Sequence, residues 1–279
     1  MNAVETASHA SEFNLTSGQF QRIRALVLKL TGIHLTEEKR QLAYGRYAKR
    51  LRALNLNNFD DYLCLVEQED SAELDHFISA ITTNFTGFFR EPHHFEFLKQ
   101  HVKELLAKKS QLRIWSAGCS TGEEPYTIAM TLLEAVPNIG RYDCKILATD
   151  LDKKVLATAA EGRYPLEKLQ NLPLEVKRRG FVKGSGANAG FVKVRSEVAN
   201  LIHFRQLNLL HDWPMKAAFD VIFCRNVVIY FDKEVQKKLF KKFSQRQVSG
   251  AHLVIGHSEN LANVSDDYRI VGRTIYQKK

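Results

Sequence analysis

Apolar residues recur at helical spacing through the first third of the chain. Ile23, Leu26, Val27 and Leu30 follow at intervals of three and four residues, and Gly32 is placed to end that helix. Three further sets at this spacing predict three more helices: Tyr44, Tyr47, Leu51 and Leu54; Phe59, Tyr62, Leu63 and Val66; and Leu74, Phe77, Ile78 and Ile81. We therefore expect a polar tail at 1–12, an all-helical domain at 13–80, and a linker with one helix at 81–111.

From residue 112 onward, short apolar runs alternate with helical patterns. Strands are predicted at 113–117, 145–149, 202–206, 219–224, 252–257 and 269–277, and helices at 124–135, 153–160 and 233–243. This alternation is typical of a doubly wound α/β sheet, which we expect over 112–279. An insertion at about 165–200 breaks the pattern: two Phe-Val-Lys segments flank Gly184, Gly186 and Gly190, which predicts an antiparallel β-hairpin with a glycine-rich loop.

The charge of the chain is basic and unevenly distributed. The formal net charge is +9 over 279 residues, and between positions 22 and 52 nine lysines and arginines stand against two acidic residues. Lys39, Arg46, Lys49 and Arg50 share the face of the second predicted helix that lies opposite its apolar arc. This surplus indicates an anionic partner: a nucleic acid, an acidic protein surface or a membrane.

Other features limit the compartment and the metal chemistry. Nothing resembles a signal peptide, and no apolar run approaches the roughly 18 residues of a membrane span. The four cysteines contain no C-x-x-C pair, which favours reduced thiols in a cytoplasmic protein without a zinc site. His93 and His94 are interpreted as surface or capping residues, because no carboxylate or cysteine stands at zinc-site spacing.

The stretch from Ile114 to Ala129 carries the clearest functional signal. A short apolar run enters a turn of small residues, 116–122, and Glu123-Glu124-Pro125 then opens a helix. A strand, a glycine-rich turn and a helix in that order hold the nucleoside part of a cofactor in α/β proteins. The two carboxylates disfavour a phosphate but suit hydroxyls and a positive centre. The turn therefore points away from NAD or ATP and towards S-adenosylmethionine.

Polar residues follow the ends of several predicted strands, where open α/β sheets bind ligands. Asp150 suits the two ribose hydroxyls of an adenosine, although it could instead cap the next helix, a role that Asp152 could also take. Glu124 is a first-turn acid that the helix dipole favours whatever its function. The remaining candidates are Asn208, Leu209, Arg225, Asn226 and Tyr230, together with Asn84, Thr86 and Arg90 in the polar, Phe-rich linker.

Four strings of this sequence closely resemble the chemotaxis receptor methyltransferases, the CheR family. They are Ile81-Thr82-Thr83-Asn84-Phe85-Thr86-Gly87-Phe88-Phe89-Arg90-Glu91, Trp115-Ser116-Ala117-Gly118-Cys119-Ser120-Thr121-Gly122-Glu123-Glu124-Pro125-Tyr126, Cys224-Arg225-Asn226-Val227-Val228-Ile229-Tyr230-Phe231 and Gly256-His257-Ser258-Glu259-Asn260. Their order matches over nearly the whole chain after residue 13. The resemblance implies a Rossmann-like methyltransferase sheet and the esterification of chemoreceptor glutamates with S-adenosylmethionine, leaving S-adenosylhomocysteine, without a metal.

The resemblance also assigns roles to single residues. It implies S-adenosylmethionine contacts at Asn84, Thr86, Arg90, Glu124, Asp150, Asn208, Leu209, Arg225 and Asn226, with Tyr230 near the reacting methyl group and Arg90 also catalytic. It implies receptor docking by Arg46, Lys49, Arg50 and Arg52, where Lys49 replaces a usual arginine. It implies that Gly184, Gly186 and Gly190 form a loop that grips a receptor's C-terminal peptide, although Lys183 stands where an arginine is expected.

Three other functions remain as alternatives. A hydrolase is suggested by the G-x-S-x-G pattern around Ser120, with Asp220 and His257 following in triad order. A nucleic-acid methyltransferase is suggested by the basic charge, but no aromatic residues interleave with the basic face. A non-catalytic adaptor is the third. We expect a cytoplasmic monomer that acts on the helical domain of chemoreceptors, without nucleic-acid binding or membrane insertion.

Overall fold

The structure, a computed structural model, describes residues 12–279. Apart from Glu12, the predicted polar tail at 1–12 lies outside the described residues. The chain divides into two compact units, the first ending at Thr82 and the second spanning Thr83–Lys279. Among the described residues, none of the helices combines the length and the apolar character needed to cross a membrane.

The first unit is all-helical, as the apolar spacing predicts. Its α-helices are α1 (Ser17–Thr31), α2 (Arg40–Ala53), α3 (Phe59–Val66) and α4 (Leu74–Ile81). At the start of α1, the Gln19 amide donates to the Thr16 hydroxyl, and the Thr16 amide donates to the Gln19 side chain. The core contains Tyr47 and Phe77, whose stacked ring centroids are 4.8 Å apart. Burial of the predicted apolar arcs therefore holds these short helices together.

The second unit begins with helix α5 (His93–Lys108) and continues as alternating strands and helices. The further α-helices are α6 (Glu123–Ala135), α7 (Lys153–Glu161), α8 (Leu174–Gly180), α9 (Ser196–Ala199) and α10 (Lys233–Gln245). The strands are β1 (Gln111–Ala117), β2 (Asp143–Asp150), β3 (Arg163–Pro165), β4 (Phe181–Lys183), β5 (Phe191–Val194), β6 (Ile202–Gln206), β7 (Phe219–Cys224), β8 (Gln247–Ile255), β9 (Tyr268–Gly272) and β10 (Ile275–Lys278).

Seven strands form the main sheet, in the order β6-β2-β1-β7-β8-β10-β9. The first five are parallel, so their carboxyl ends meet at one edge, whereas β10 runs antiparallel to both β8 and β9. The prediction of one strand over 269–277 is wrong. The segment turns back on itself at Thr274, whose φ is +56°, and forms the hairpin β9–β10.

Helices cover both faces of this sheet. Alternate strand residues face opposite sides: Ile114 packs in a cluster with α5 and α6, while Trp115 packs in a second cluster with α10. The strand order reverses between β1 and β7, which places the switch point beside the turn after β1. The predicted doubly wound arrangement is present, with an antiparallel edge.

The insertion contains a second, three-stranded antiparallel sheet in the order β3-β5-β4. The predicted hairpin is the β4–β5 pair, in which Val182 lies opposite Lys193. The additional strand β3 and the helix α8 belong to the same segment and were not predicted. Tyr164 on β3 donates from its hydroxyl to the Thr121 carbonyl at 2.6 Å, so the insertion contacts the turn after β1.

Candidate functional site

The glycine-rich turn between β1 and α6 lies across the ends of two neighbouring strands. The amides of Gly118 and Cys119 both donate to the Thr149 carbonyl, at 2.8 and 2.9 Å. Gly118 has φ +82°, and a Cβ there would lie 2.4 Å from Cγ2 of Val227. Only glycine therefore permits this turn to approach the segment that follows β7.

Asp150 ends β2 directly beside this turn. Its carboxylate accepts hydrogen bonds from the amides of Ser120 and Asp152, at 2.8 and 3.0 Å. Burial raises the pKa of Asp150, and those two amides oppose the rise. The cap of α7 is Asp152, which accepts from the Lys154 amide at 2.9 Å. The alternative assignment of Asp150 as a helix cap is therefore wrong.

Glu124 belongs to a buried polar network at the same edge of the sheet. It accepts from the Ser116 hydroxyl at 2.7 Å and from Nη1 of Arg225 at 2.9 Å. The Arg225 side chain is only 2% exposed, and its Nη2 also donates to the Arg90 carbonyl and lies 3.4 Å from Oε2 of Glu91. The guanidinium thus joins the first turn of α6, the end of β7 and the linker.

Glu91 connects this network to the loop after β8. Its Oε1 lies 3.0 Å from Nδ1 of His257. Burial opposes ionisation of Glu91, but the His257 hydrogen bond and the Arg225 charge outweigh it and lower the pKa of this carboxyl. Glu91 also has φ +59°, a conformation that non-glycine residues seldom adopt.

The linker before α5 runs over the glycine-rich turn. Nδ2 of Asn84 donates to Asp152 at 3.0 Å, and the Ser120 hydroxyl donates to the Asn84 carbonyl at 3.0 Å. The Arg90 guanidinium donates to the Phe85 carbonyl at 3.0 Å and lies 5.6 Å from the centroid of the Phe85 ring, which is 80% exposed. Thr86 lies half-buried in the same segment.

The remaining candidates follow β6 and β7. Asn208 accepts from the Leu210 amide at 3.0 Å, and the side chain of Leu209 is buried. Asn226 has φ +59°, and Tyr230 lies half-buried in a short 3-10 helix, Val228–Tyr230. The carboxyl edge of the parallel strands therefore brings together side chains that are far apart in the sequence.

The chemistry of this edge fits the nucleoside end of S-adenosylmethionine. The carboxylates of Asp150 and Glu124 flank a turn that packs against the Val227 side chain too closely to accept a Cβ at Gly118. Such carboxylates accept hydrogen bonds from hydroxyls and amines and attract a positive sulfur. They would repel the phosphates of a dinucleotide.

Comparisons with known proteins decide the family. Residues 18–82 match "CheR methyltransferase, all-alpha domain" and residues 84–277 match "CheR methyltransferase, SAM binding domain". The chain belongs to the CheR methyltransferase family. The predicted family, methyltransferase class, fold class and cofactor are confirmed.

Curated relatives match over nearly their full length. Chemotaxis protein methyltransferase 2 of Pseudomonas aeruginosa is 45% identical over 268 residues, which cover 95% of this chain and 94% of that protein. The chemotaxis protein methyltransferase of Klebsiella aerogenes is 41% identical over 97% of this chain and 92% of its own. That of Escherichia coli is 41% identical over 94% and 91%.

The hydrolase alternative disagrees with the geometry of this CheR protein. Asp220 is the second residue of β7, where it pairs with Lys109 and accepts from the Arg113 amide at 2.9 Å. Ser120 and His257 instead lie near the carboxyl ends of the strands, where Ser120 donates to a carbonyl and His257 contacts Glu91. No Ser-His-Asp relay connects these three residues.

The interpretation of the histidine pair as surface or capping residues is wrong for His94, which is completely buried. Burial lowers the pKa of His94 to about 3, and its Nε2 lies 2.8 Å from the Thr274 hydroxyl. Glu91, His93 and His94 place three ligand-type atoms within 4.8 Å of one another. The Arg225 guanidinium already supplies a positive charge at Glu91, which disfavours a metal cation there.

The predicted docking residues on α2 have partners inside the first unit. Nη1 of Arg46 donates to the carbonyls of 80, 81 and 82 at 2.8–3.1 Å, at the end of α4. Arg50 makes a two-pronged pair with the buried Glu73, at 2.7 and 2.8 Å. Arg52 pairs with Glu12 on the surface, and Lys49 is exposed. Arg46 and Arg50 therefore stabilise the helical unit, whatever else they bind.

The predicted tether loop is a short, ordered connection between β4 and β5. The Gly184 amide donates to the Phe191 carbonyl at 2.9 Å, residues 186–188 form a 3-10 turn, and Gly190 precedes β5 with φ +85°. Val182 beside it is 50% exposed.

Sequence reasoning gave no role to Ser116, Glu91 and Glu259, which hold the site together, and it expected the Glu123 carboxylate to suit the cofactor rather than to be buried. Glu123 is completely buried, and its carboxylate lies 2.8 Å from Nζ of Lys168 in the insertion. Ser116, Glu91 and Glu259 lie within three of the four strings that carry the resemblance. That location was the available signal that they matter to the site.

Proposed function

We propose that this enzyme transfers the methyl group of S-adenosylmethionine to glutamate side chains of bacterial chemoreceptors, as part of chemotactic adaptation. The observation that carries the proposal is the buried Ser116–Glu124–Arg225 network beside Asp150. Membership of the CheR family and the names of its relatives support the receptor as substrate.

The acceptors at the sheet edge support the proposed cofactor-binding roles. Asp150 would hold the ribose hydroxyls, and Glu124 would face the positive end of the cofactor, held in place by Ser116 and Arg225. Asn84, Thr86, Asn208, Leu209 and Asn226 complete the proposed contacts. When bound, the cofactor supplies a methyl group on a positive sulfur; the receptor carboxylate forms the C–O bond as the C–S bond breaks, and the electron pair stays on sulfur.

The reaction needs no general base. A glutamate with a pKa of about 4.3 is already ionised at pH 7, so its carboxylate can attack directly. We assign Arg90 and Tyr230 to positioning the methyl group and the incoming carboxylate. Alignment of reactants could lower the barrier by roughly 7–11 kcal/mol. A firm ion pair between Arg90 and the attacking carboxylate would stabilise the ground state and slow the reaction. The Arg90 guanidinium is instead engaged by the carbonyl and the ring of Phe85, which suits a weaker role in orienting the carboxylate.

The proposed partner is the acidic helical domain of a chemoreceptor in the cytoplasm. The proposed docking residues lie on α2 and are Arg46, Lys49, Arg50 and Arg52. Among them, Lys49 is exposed and has the smallest part in stabilising the helical unit. The loop containing Gly184, Gly186 and Gly190 is proposed to bind a receptor's C-terminal peptide by pairing with the edge of β4. We propose that the enzyme acts as a monomer, without a metal and without nucleic acid.

The deciding experiment combines the purified enzyme with methyl-labelled S-adenosylmethionine and receptor-bearing membranes. Alkali-labile label released as methanol would identify glutamate methyl esters. Membranes without receptor, and DNA or RNA in place of membranes, are the controls. Transfer to nucleic acid would support the alternative, and cofactor binding without transfer would support an adaptor. Receptors with and without their last residues test the tether separately.

A further inference from the structure

The loop after β8 contains a buried carboxylate that has no assigned role. Glu259 is 6% exposed, and it accepts four backbone hydrogen bonds. Its Oε2 accepts from the amides of Gly256 and Asn226 at 2.6 and 2.9 Å, and its Oε1 accepts from those of Val227 and Val228, both at 2.9 Å. Three of these donors belong to the turn that follows Arg225.

That turn needs an external acceptor because of its backbone conformation. Asn226 has φ +59°, so the chain leaves the parallel sheet sharply after Cys224 and the next three amides point together instead of along a strand. Convergent amides form an anion-binding concavity, and a carboxylate satisfies them with charge-assisted hydrogen bonds. Buried without an acceptor, each amide would cost about 1–3 kcal/mol.

The same turn is fixed by two further contacts. A Cβ at Gly256 would lie 2.4 Å from Nδ2 of Asn226, so the two loops touch with no space between them. From α10, Nε2 of Gln236 donates to the carbonyls of Val228 and Phe231, at 2.9 and 3.0 Å. Glu259 therefore holds the amide side of the turn while Gln236 holds its carbonyl side.

We propose that Glu259 is a positioning residue for methyl transfer. It fixes the turn at 226–228, and thereby the places of Asn226 and Tyr230 at the cofactor site. This inference rests on the function proposed above for those two residues. The Tyr230 amide donates to the Val227 carbonyl at 3.3 Å, so a shift of the turn reaches Tyr230 directly.

Glu259→Gln tests this with little change in shape. The side-chain NH2 group of glutamine would face backbone N–H groups and cannot accept from them. The two hydrogen bonds made by one of the carboxylate oxygens are therefore lost. We expect kcat for methyl release to fall roughly 10- to 100-fold, because misplacement of about 1 Å suffices for such a loss. Glu259→Asp keeps the charge and should recover part of kcat. Tyr268→Phe is the control: it removes a buried 2.7 Å hydrogen bond to Gln247 at the other end of β8.

Two readouts separate positioning from folding. The first is kcat and KM per folded molecule, with folding measured by thermal unfolding. The second is hydrogen exchange at the amides of 226–228, which should accelerate in Glu259→Gln and stay slow in Tyr268→Phe. If Glu259→Gln does not fold, the same measurements on Glu259→Asp decide, with a smaller expected fall in kcat.

The outcomes are distinct. Faster exchange together with a fall in kcat that exceeds any loss of folded protein supports the inference. Unchanged exchange, or an unchanged kcat despite faster exchange, overturns it. Absence of methyl transfer by the wild type would overturn the proposed function instead, and affinity for S-adenosylhomocysteine together with exchange at 226–228 would then still decide whether Glu259 positions the turn at the cofactor site.

Discussion

Nη1 of Arg225 lies 2.9 Å from Oε2 of Glu124, in a pair whose side chains are 2% and 11% exposed. The pair joins the end of β7 to the first turn of α6. A buried ion pair need not add stability, but the loss of one partner leaves the other charge buried without compensation. Glu124 is therefore a structural requirement of the site as well as a proposed cofactor contact.

Glu124→Gln should weaken both binding and folding. We expect a loss of about 3 kcal/mol in the free energy of unfolding, at the lower end for a broken buried pair because Glu91 still faces Arg225. Affinity for S-adenosylhomocysteine should also fall. Chemical denaturation and calorimetry measure the two effects.

A matched control lies on the same helix. Glu134 pairs with Lys99 at the surface, with 39% of its side chain exposed. Glu134→Gln should change stability by no more than about 1 kcal/mol and leave affinity intact. Equal behaviour of the two variants would contradict a special role for Glu124.

Asp150→Asn should act mainly on the cofactor. One oxygen remains to accept the Ser120 or Asp152 amide, but the charge that would bind two ribose hydroxyls is gone. A charge-assisted hydrogen bond contributes about 1.5–3 kcal/mol, so the Kd for S-adenosylhomocysteine should rise roughly 10- to 100-fold. Asp143→Asn, at the exposed opposite end of β2, is the control and should leave Kd unchanged. A Kd for Asp150→Asn within twofold of wild type would exclude the ribose role.

Lys49→Glu is the sharper test of receptor docking. Lys49 is exposed, so its reversal should raise the apparent KM for receptor, most strongly at low salt, without changing stability or cofactor affinity. Arg50→Glu would instead place a second carboxylate against the buried Glu73 and should destabilise the helical unit. An unaltered KM in Lys49→Glu at low ionic strength would argue against docking through this face.

Acidification should destabilise the protein through its buried histidines. Burial lowers the pKa of His252 to about 4, against about 6.5 in the unfolded chain. Between these values the unfolded state binds more protons, so stability that is present above pH 6.5 is lost as the pH falls towards 4. Protonation of His252 accounts for about 3 kcal/mol of this loss in the free energy of unfolding.

The variant His252→Phe measures the contribution of His252 to this pH dependence of stability. Its ring would pack beside Phe97, whose centroid lies 5.0 Å from that of His252. Urea unfolding at pH 7.5 and pH 4.5 should show a smaller difference in the variant than in the wild type. Identical pH slopes would show that His252 does not titrate as its burial implies.

Most of the fold was predictable because buried residues recur in the sequence at the spacing of a helix or a strand. The apolar spacing of α1 predicted a helix that ends at Gly32, and the run Val221-Ile222-Phe223 predicted β7 with its observed bounds, since Ile23, Val27 and every residue of β7 are buried. The hairpin at β9–β10 was missed because Gly272 alone did not distinguish a turn from a continuous strand, and the turn residue with positive φ is Thr274, whose residue type does not signal that conformation.

The location of the candidate residues at the strand ends was predictable, but their contacts were not. Asp150 and Arg225 stand at strand ends, and that position alone suggests a ligand. The internal partners of Arg46 and Arg50 were not predictable, because helical periodicity shows which face is polar but not which carbonyls or carboxylates will meet it. The contacts of Glu259 were equally unpredictable, since a glutamate in a loop has no periodic signature and only its place in the string at 256–260 distinguished it.

One contact made by the insertion has an energetic consequence for the whole active centre. Lys168 belongs to the inserted subdomain, yet it neutralises Glu123, a completely buried carboxylate in the first turn of α6. Any force that moves the subdomain away separates Lys168 from Glu123. The Glu123 carboxylate then remains buried without a positive partner, directly beside Glu124. Movement at the distant loop would then change the electrostatic potential at the place where the adenosine is proposed to bind.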